Sequence, residues 1–95
     1  MQFPDLMDRF ISYVRINTQS SEESTEFPST PHQINLSSRL QNELKEMGLI
    51  DATLNQWGYV LATLPSNCSG NGPTIALIAH VDTSPDVSGE NVNPR

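Results

Sequence analysis

Thr74-Ile75-Ala76-Leu77-Ile78-Ala79-His80-Val81-Asp82-Thr83-Ser84-Pro85-Asp86 decides the reading of this chain: an uninterrupted apolar run ends abruptly in a histidine, two aspartates and a proline. Continuous runs, rather than alternation, mark strands buried on both faces of parallel sheets, and in open α/β sheets the chemistry lies beyond the carboxyl ends of the strands. His80 and Asp82 stand at that position. Side chains two apart in a strand point to one face, so both serve a single site if the strand persists through Asp82. A metal-bound imidazole commonly leans on a carboxylate through its second ring nitrogen, which fixes the tautomer and raises basicity. Taken alone, the pair is read equally well as a core histidine satisfying one hydrogen bond.

Working back from that run, Ser66-Asn67-Cys68-Ser69-Gly70-Asn71-Gly72 and Pro73 form a turn-rich loop, preceded by two strand-like stretches, Ala52–Leu54 and Tyr59–Leu64. The Gly and Asn of Asn55-Gln56-Trp57-Gly58 suit a tight connection between them, which predicts a hairpin. Trp57 beside the turn reads as a cover for the sheet edge. Further upstream, Thr30-Pro31-His32-Gln33 predicts a helix start, with a Thr cap, a proline at the first helical position and a Gln three residues after the cap. That helix runs to Met47, with Leu36, Leu40, Leu44 and Met47 as its buried stripe and Gly48 as the left-handed terminating residue. His32 in its first turn reads as a surface residue. Between Asp5 and about Ile16, Leu6, Met7, Phe10, Ile11 and Val14 recur at helical spacing and predict a first amphipathic helix. Asn17 to Ser29 is almost entirely polar and reads as an exposed loop.

The expected fold class is α/β, in the order helix-helix-strand-strand-strand, with two helices packed on a partial mixed sheet. At 95 residues the chain fits one small domain, and chains of this size bury only roughly 60–65% of the surface they expose when unfolded. The formal charge of −6, with five basic residues scattered along the chain, excludes nucleic acid and an anionic membrane as expected partners. No apolar run approaches the ~20 residues of a membrane-spanning helix, and the N-terminus lacks the segments of a signal peptide, so a cytoplasmic location is expected. Cys68 is the only cysteine, which rules out an internal disulfide and a multi-cysteine metal cage. It reads as an incidental thiol.

His80-Val81-Asp82-Thr83 directly after an apolar strand resembles the first metal-binding motif of the zinc aminopeptidases and deacylases of the M20 class. Thr18-Gln19-Ser20, Glu46-Met47-Gly48-Leu49, Ala62-Thr63-Leu64-Pro65, the continuation to Asp86, Ser88-Gly89 and Asn91-Val92-Asn93-Pro94 sharpen the resemblance to the peptidase T family of tripeptide aminopeptidases. The resemblance implies a site of two zinc ions, with His80 binding one zinc and Asp82 orienting and polarising that imidazole. It implies a small peptide substrate and amide hydrolysis by a metal-activated water deprotonated by a glutamate. Asp86 lies too far past the motif for a ligand role and is read as a loop cap.

In that family the bridging aspartate, the base glutamate, the remaining ligands and the lid domain follow the position of Arg95. A catalytic zinc needs about three protein ligands and an open position, and the chain offers no third. Residues 1–95 are therefore expected to be the N-terminal portion of a peptidase catalytic domain, inactive by themselves. With two helices and a hairpin to cover a strand that wants neighbours on both faces, apolar surface should stay exposed and favour self-association. Two other readings remain in view: a related amide hydrolase acting on N-acyl amino acids, and a non-catalytic interaction module.

Overall fold

The computed structural model describes residues 5–95, so the first four residues of the expected 1–95 unit lie outside it. Its elements run α1 (Leu6–Val14), α2 (Gln33–Glu46), β1 (Thr53–Leu54) and β2 (Val60–Leu61). Both helices and the hairpin form where the sequence pattern predicts them. α1 opens with an Arg9–Asp5 pair at 3.0 Å across one helical turn, a spacing that brings side chains together. It closes earlier than expected, in a tight turn in which the Ile16 N–H donates to the Tyr13 carbonyl. Its apolar stripe is not covered: Leu6, Met7 and Phe10 are more than half exposed, while Ile11 and Val14 are half-buried.

The start of α2 departs from the expected capping box. Thr30 caps no backbone N–H with its side chain; its hydroxyl donates to the Gln19 carbonyl and accepts from the Gln33 side-chain amide. The chain instead winds in through three short-range turns, with the N–H groups of Gln33, Ile34 and Asn35 bonded to the carbonyls of Thr30, Pro31 and His32. Tertiary demand for the hydroxyl outcompetes the local cap. The other end matches the expectation closely. Gly48, at φ +99°, donates to Lys45, and the next N–H, of Leu49, reaches back to Leu44 at 3.0 Å. This pair of bonds satisfies carbonyls that the helix end would otherwise orphan.

β1 and β2 pair antiparallel, Thr53 with Leu61 and Leu54 with Val60. The turn between them is closed by the Gly58 N–H bonded to Asn55 and the Asn55 N–H bonded to Tyr59. The Asn55 carboxamide oxygen accepts from the Trp57 and Tyr59 amides at 3.0 Å each. Gly58 sits at φ +86°, and a Cβ there would meet Ile34 Cδ1 at 3.2 Å. A side chain is therefore strained by the backbone conformation, and it would also require the tip of Ile34 on α2 to give by a few tenths of an ångström.

α2 lies on the hairpin through polar side chains as much as apolar ones. The Ser37 hydroxyl donates to the Gly58 carbonyl at 2.9 Å, and the Gln41 amide donates to Ala52 at 3.1 Å. The buried residues among those described are Leu36, Ala52, Thr18, Gln33 and Ser37, together with Gly89, so polar side chains outnumber apolar ones in the interior. The expected buried stripe of α2 is correct only at Leu36. Leu40 and Leu44 are half-buried and Met47 is 59% exposed, because this face looks into an open groove.

The third strand is the main correction. Thr74–Ala79 is extended, but it joins no ladder, and Ile75, Leu77 and Ile78 are 80%, 95% and 94% exposed. The sheet among the described residues is thus a two-stranded antiparallel hairpin, not a partial mixed sheet. Among the described residues the parallel character survives only as an isolated bridge between Gln19 and Thr83. The physical reason is a shortage of partners: a strand apolar on both faces needs neighbours on its edges and layers above and below. The accessible surface is 8017 Å², against about 5,400 Å² for a folded monomer of this mass. The radius of gyration is 15.7 Å, against about 12 Å for a compact chain of this length.

Two outcomes follow. A dye that fluoresces on apolar surface should bind the 95-residue chain at neutral pH; a dye-silent, sharply cooperative chain would contradict the open groove. Gly58→Ala should speed hydrogen exchange at the Asn55 amide about fivefold to tenfold, whereas Gly48→Ala, with open space around its Cβ, should fray only the end of α2.

Candidate functional site

The tip of the apolar segment is held by backbone pairing one residue beyond Asp82. The Thr83 N–H donates to the Thr18 carbonyl at 3.1 Å, and the Thr83 carbonyl accepts from the Ser20 N–H at 3.0 Å and the Ser20 hydroxyl at 2.8 Å. This overturns the reading of Asn17–Ser29 as simply an exposed loop: Thr18 is 3% exposed. Polarity misled there because the segment is buried by main-chain pairing rather than by apolar side chains.

Ahead of this anchor, His80 turns its Nδ1 onto Asp82, 2.9 Å from the carbonyl oxygen and 3.0 Å from carboxylate Oδ1. Both acceptors are oxygens, so Nδ1 carries the proton in the neutral ring and the lone pair is left on Nε2. The His80 side chain is 84% exposed and that of Asp82 46%. The two side chains expected to share a site are therefore together, and the alternative of a histidine sealed in the core does not apply. Among the described residues, no group of three or more His, Cys, Asp and Glu side chains gathers around a point where a metal ion could sit.

His80 and Asp82 border a groove of about 840 Å³ between the extended segment on one side and α2 with the hairpin on the other. Its walls are apolar, with Leu40, Leu44, Val60, Leu77 and Ile78 among them, and Trp57 also lines it. Arg9, Tyr13 and Glu43 also line it, as members of a polar cluster on the helices. Glu43 accepts from Arg9 and Arg39, each at 2.9 Å, and from the Tyr13 hydroxyl, and the Arg39 guanidinium lies 5.2 Å from the centre of the Tyr13 ring. Partial burial pushes the Glu43 carboxyl up, but the bonds from Tyr13 and Arg39 and the charges of Arg39 and Arg9 outweigh it and hold the group below its ordinary value. Burial, reinforced by Glu43, raises the Tyr13 phenol. This cluster ties α1 to α2.

The other candidates fall outside the tip. Among the described residues Asp86 bonds only with Ser84, as a loop residue would. Cys68 is exposed in its loop. His32 is not a free surface residue: it is half-buried, with Nε2 2.9 Å from the Gln19 carbonyl. The residue that sequence reasoning left without a role is Gln19, whose side chain bonds the backbone at Pro85 and Gly89. The one signal for it was the Thr18-Gln19-Ser20 string itself.

No family model matches the chain. Along nearly its whole length, however, it is similar to hydrolases that cut peptide bonds. It is 53% identical over 91 residues to peptidase T of Clostridium botulinum strain 657, a match covering 96% of this chain and 22% of that protein. Peptidase T of C. botulinum strain Hall and that of Listeria innocua serovar 6a are each 50% identical over 91 residues, with the same shares. Over 91 residues the chain is thus closely similar to a stretch of peptidase T, and it spans about a fifth of the length of the curated relatives it matches.

Because the folded Glu43 carboxyl lies below its unfolded value of 4.5, its contribution is present above that value and lost as pH falls through the lower, folded one. Tyr13 ring resonances should move from docked to free positions across that acidic window. Glu43→Gln should weaken docking of α1 by about 1 kcal/mol and abolish the pH response; an unchanged profile would remove Glu43 from the joint.

Proposed function

We propose that this chain contributes a metal-ligating histidine, His80, and its orienting carboxylate, Asp82, to a zinc-dependent aminopeptidase that releases the N-terminal residue of tripeptides. The observation that carries the proposal is the turned imidazole: Asp82 occupies Nδ1 and leaves Nε2 open on an exposed tip. The similarity to peptidase T supports the reaction class. A neutral imidazole with a free Nε2 and a carboxylate behind it is a suitable donor for zinc. When bound, zinc lowers the pKa of a water and polarises the scissile carbonyl.

The part played by this chain's own residues follows from the contact. Asp82 keeps the proton on Nδ1, points the ring outward, and by its negative charge makes Nε2 a stronger donor. Two residues do not complete a catalytic zinc site, so the further ligands and the base that deprotonates the water are proposed to come from outside these 95 residues. The chain by itself should show no turnover. We also place the protein in the cytoplasm, with neither nucleic acid nor membrane as a partner. The acidic composition supports this, and no helix among the described residues is long and apolar enough to cross a membrane.

The test is a hybrid in which this chain replaces the matching segment of C. botulinum strain 657 peptidase T. His80→Ala should lower zinc occupancy, while Asp82→Asn should keep most of the metal yet lose about tenfold to a hundredfold in activity. Wild-type zinc content and turnover in both variants would remove the pair from the site. Cleavage of N-acyl amino acids but not of tripeptides would replace the substrate assignment.

A further inference from the structure

Asp82 and His80 lie at the end of a segment that touches little else, so something other than packing must hold their relative position. We infer that Gln19 is the positioning residue for this pair, acting through the backbone that follows Asp82. The inference rests on the reading of His80 as a zinc ligand.

The hydrogen-bonding groups of Gln19 are divided between two parts of the fold. Its carbonyl accepts from the Thr30 hydroxyl at 2.7 Å and from His32 Nε2 at 2.9 Å, which fastens it to the approach of α2. Its own N–H is taken by Asn17 Oδ1 at 3.0 Å. The side chain turns the other way: Nε2 donates to the Pro85 carbonyl at 3.0 Å, and Oε1 accepts from the Gly89 N–H at 3.2 Å. Both ends of the carboxamide are thereby committed, which fixes its orientation. On either side of Gln19, Thr18 and Ser20 pair with Thr83. The loop from Thr83 to Gly89 is therefore gripped at Thr83, Pro85 and Gly89 by one residue and its two neighbours.

Gly89 is the complementary half of the grip. It is buried, and a Cβ there would stand 2.6 Å from Asn17 Oδ1 and 3.1 Å from Gln19 Cβ. Only a residue without a side chain lets the loop come close enough for the Gly89 N–H to reach Gln19. The first gripped residue, Thr83, is bonded covalently to Asp82, and both the carbonyl and the carboxylate of Asp82 face His80 Nδ1. A loop free to slide would carry those acceptors away from the imidazole, and second-layer partners of this kind set ligand orientation and affinity. Gln19 touches neither metal nor substrate; it determines where Asp82 stands.

The experiment measures zinc affinity by competition with a chromophoric chelator in the hybrid peptidase T described above, for the parent, Gln19→Ala, Gln19→Glu, Gly89→Ala and His80→Ala. Hydrogen exchange at Thr83 and Gly89 is followed in the zinc-free forms. Gln19→Ala and Gly89→Ala should each weaken zinc about tenfold and free both amides. Gln19→Glu, which keeps the acceptor for Gly89 but loses the donor to Pro85, should fall between parent and Gln19→Ala. Freed amides with zinc affinity unchanged would reduce Gln19 to a structural tether and overturn the inference. If Gln19→Ala does not fold, the Gln19→Glu value decides: parental affinity overturns the inference and intermediate affinity upholds it. Full zinc affinity in His80→Ala would instead sink the ligand assignment itself, a failure distinct from that of the clamp.

Discussion

The backbone pairing of Thr83 with Thr18 and Ser20 is the constraint on which the placement of the site depends. It joins the segment after α1 to the segment after the apolar run, two stretches more than sixty residues apart in sequence. Main-chain bonds suit this task because they define register as well as proximity. Upstream of the joint, the chain from Pro65 to Ala79 runs exposed. Downstream, Gln19 and Gly89 draw the loop back against the same anchor. His80 and Asp82 are thus presented at the edge of the one well-tied part of an otherwise open segment.

The second organising feature is the imbalance between apolar surface and what is present to cover it. α2 and the hairpin form a real unit, but its strongest specific contacts are polar, Ser37 to Gly58 and Gln41 to Ala52, and its apolar face opens on the groove. The extended segment brings Leu77 and Ile78 to the opposite wall without closing the gap. Apolar burial is the dominant favourable term in folding, so an arrangement that leaves this much apolar surface in water is held chiefly by hydrogen bonds and short-range geometry. α1 shows the same balance, docked by Arg9, Tyr13 and Glu43 while Leu6, Met7 and Phe10 face outward.

Much of the local structure was legible in the residues. Helical spacing located α1 and α2, Gly48 terminated α2 at the expected residue, and Asn55 with Gly58 announced the hairpin turn. These are short-range effects in which the determining atoms lie within a few residues of one another. What misled was whatever depended on distant partners. Thr30 has the composition of a cap but spends its hydroxyl on Gln19, and His32 does the same with its imidazole. Thr18 looks like loop and is buried. At the site, His80 and Asp82 do lie together, but through a local turn of the imidazole onto Asp82 rather than on one face of the expected strand, which does not form; for the contacts of Gln19 the only signal was the Thr18-Gln19-Ser20 string.

By itself, the sequence determined the helices, the hairpin, the apolar character of Thr74–Ala79 and the chemistry of the residues at its tip, because propensity, turn geometry and side-chain type are properties of neighbouring residues. Only the tertiary structure decided that this apolar stretch joins no ladder among the described residues, that Nδ1 rather than Nε2 of His80 meets Asp82, and that a glutamine from the first loop grips the chain beyond them. Those outcomes depend on which backbone groups meet across long separations in sequence. Their selection is made by the geometry of the folded chain, where an unpaired donor or acceptor is costly and a partner must lie within about 3 Å.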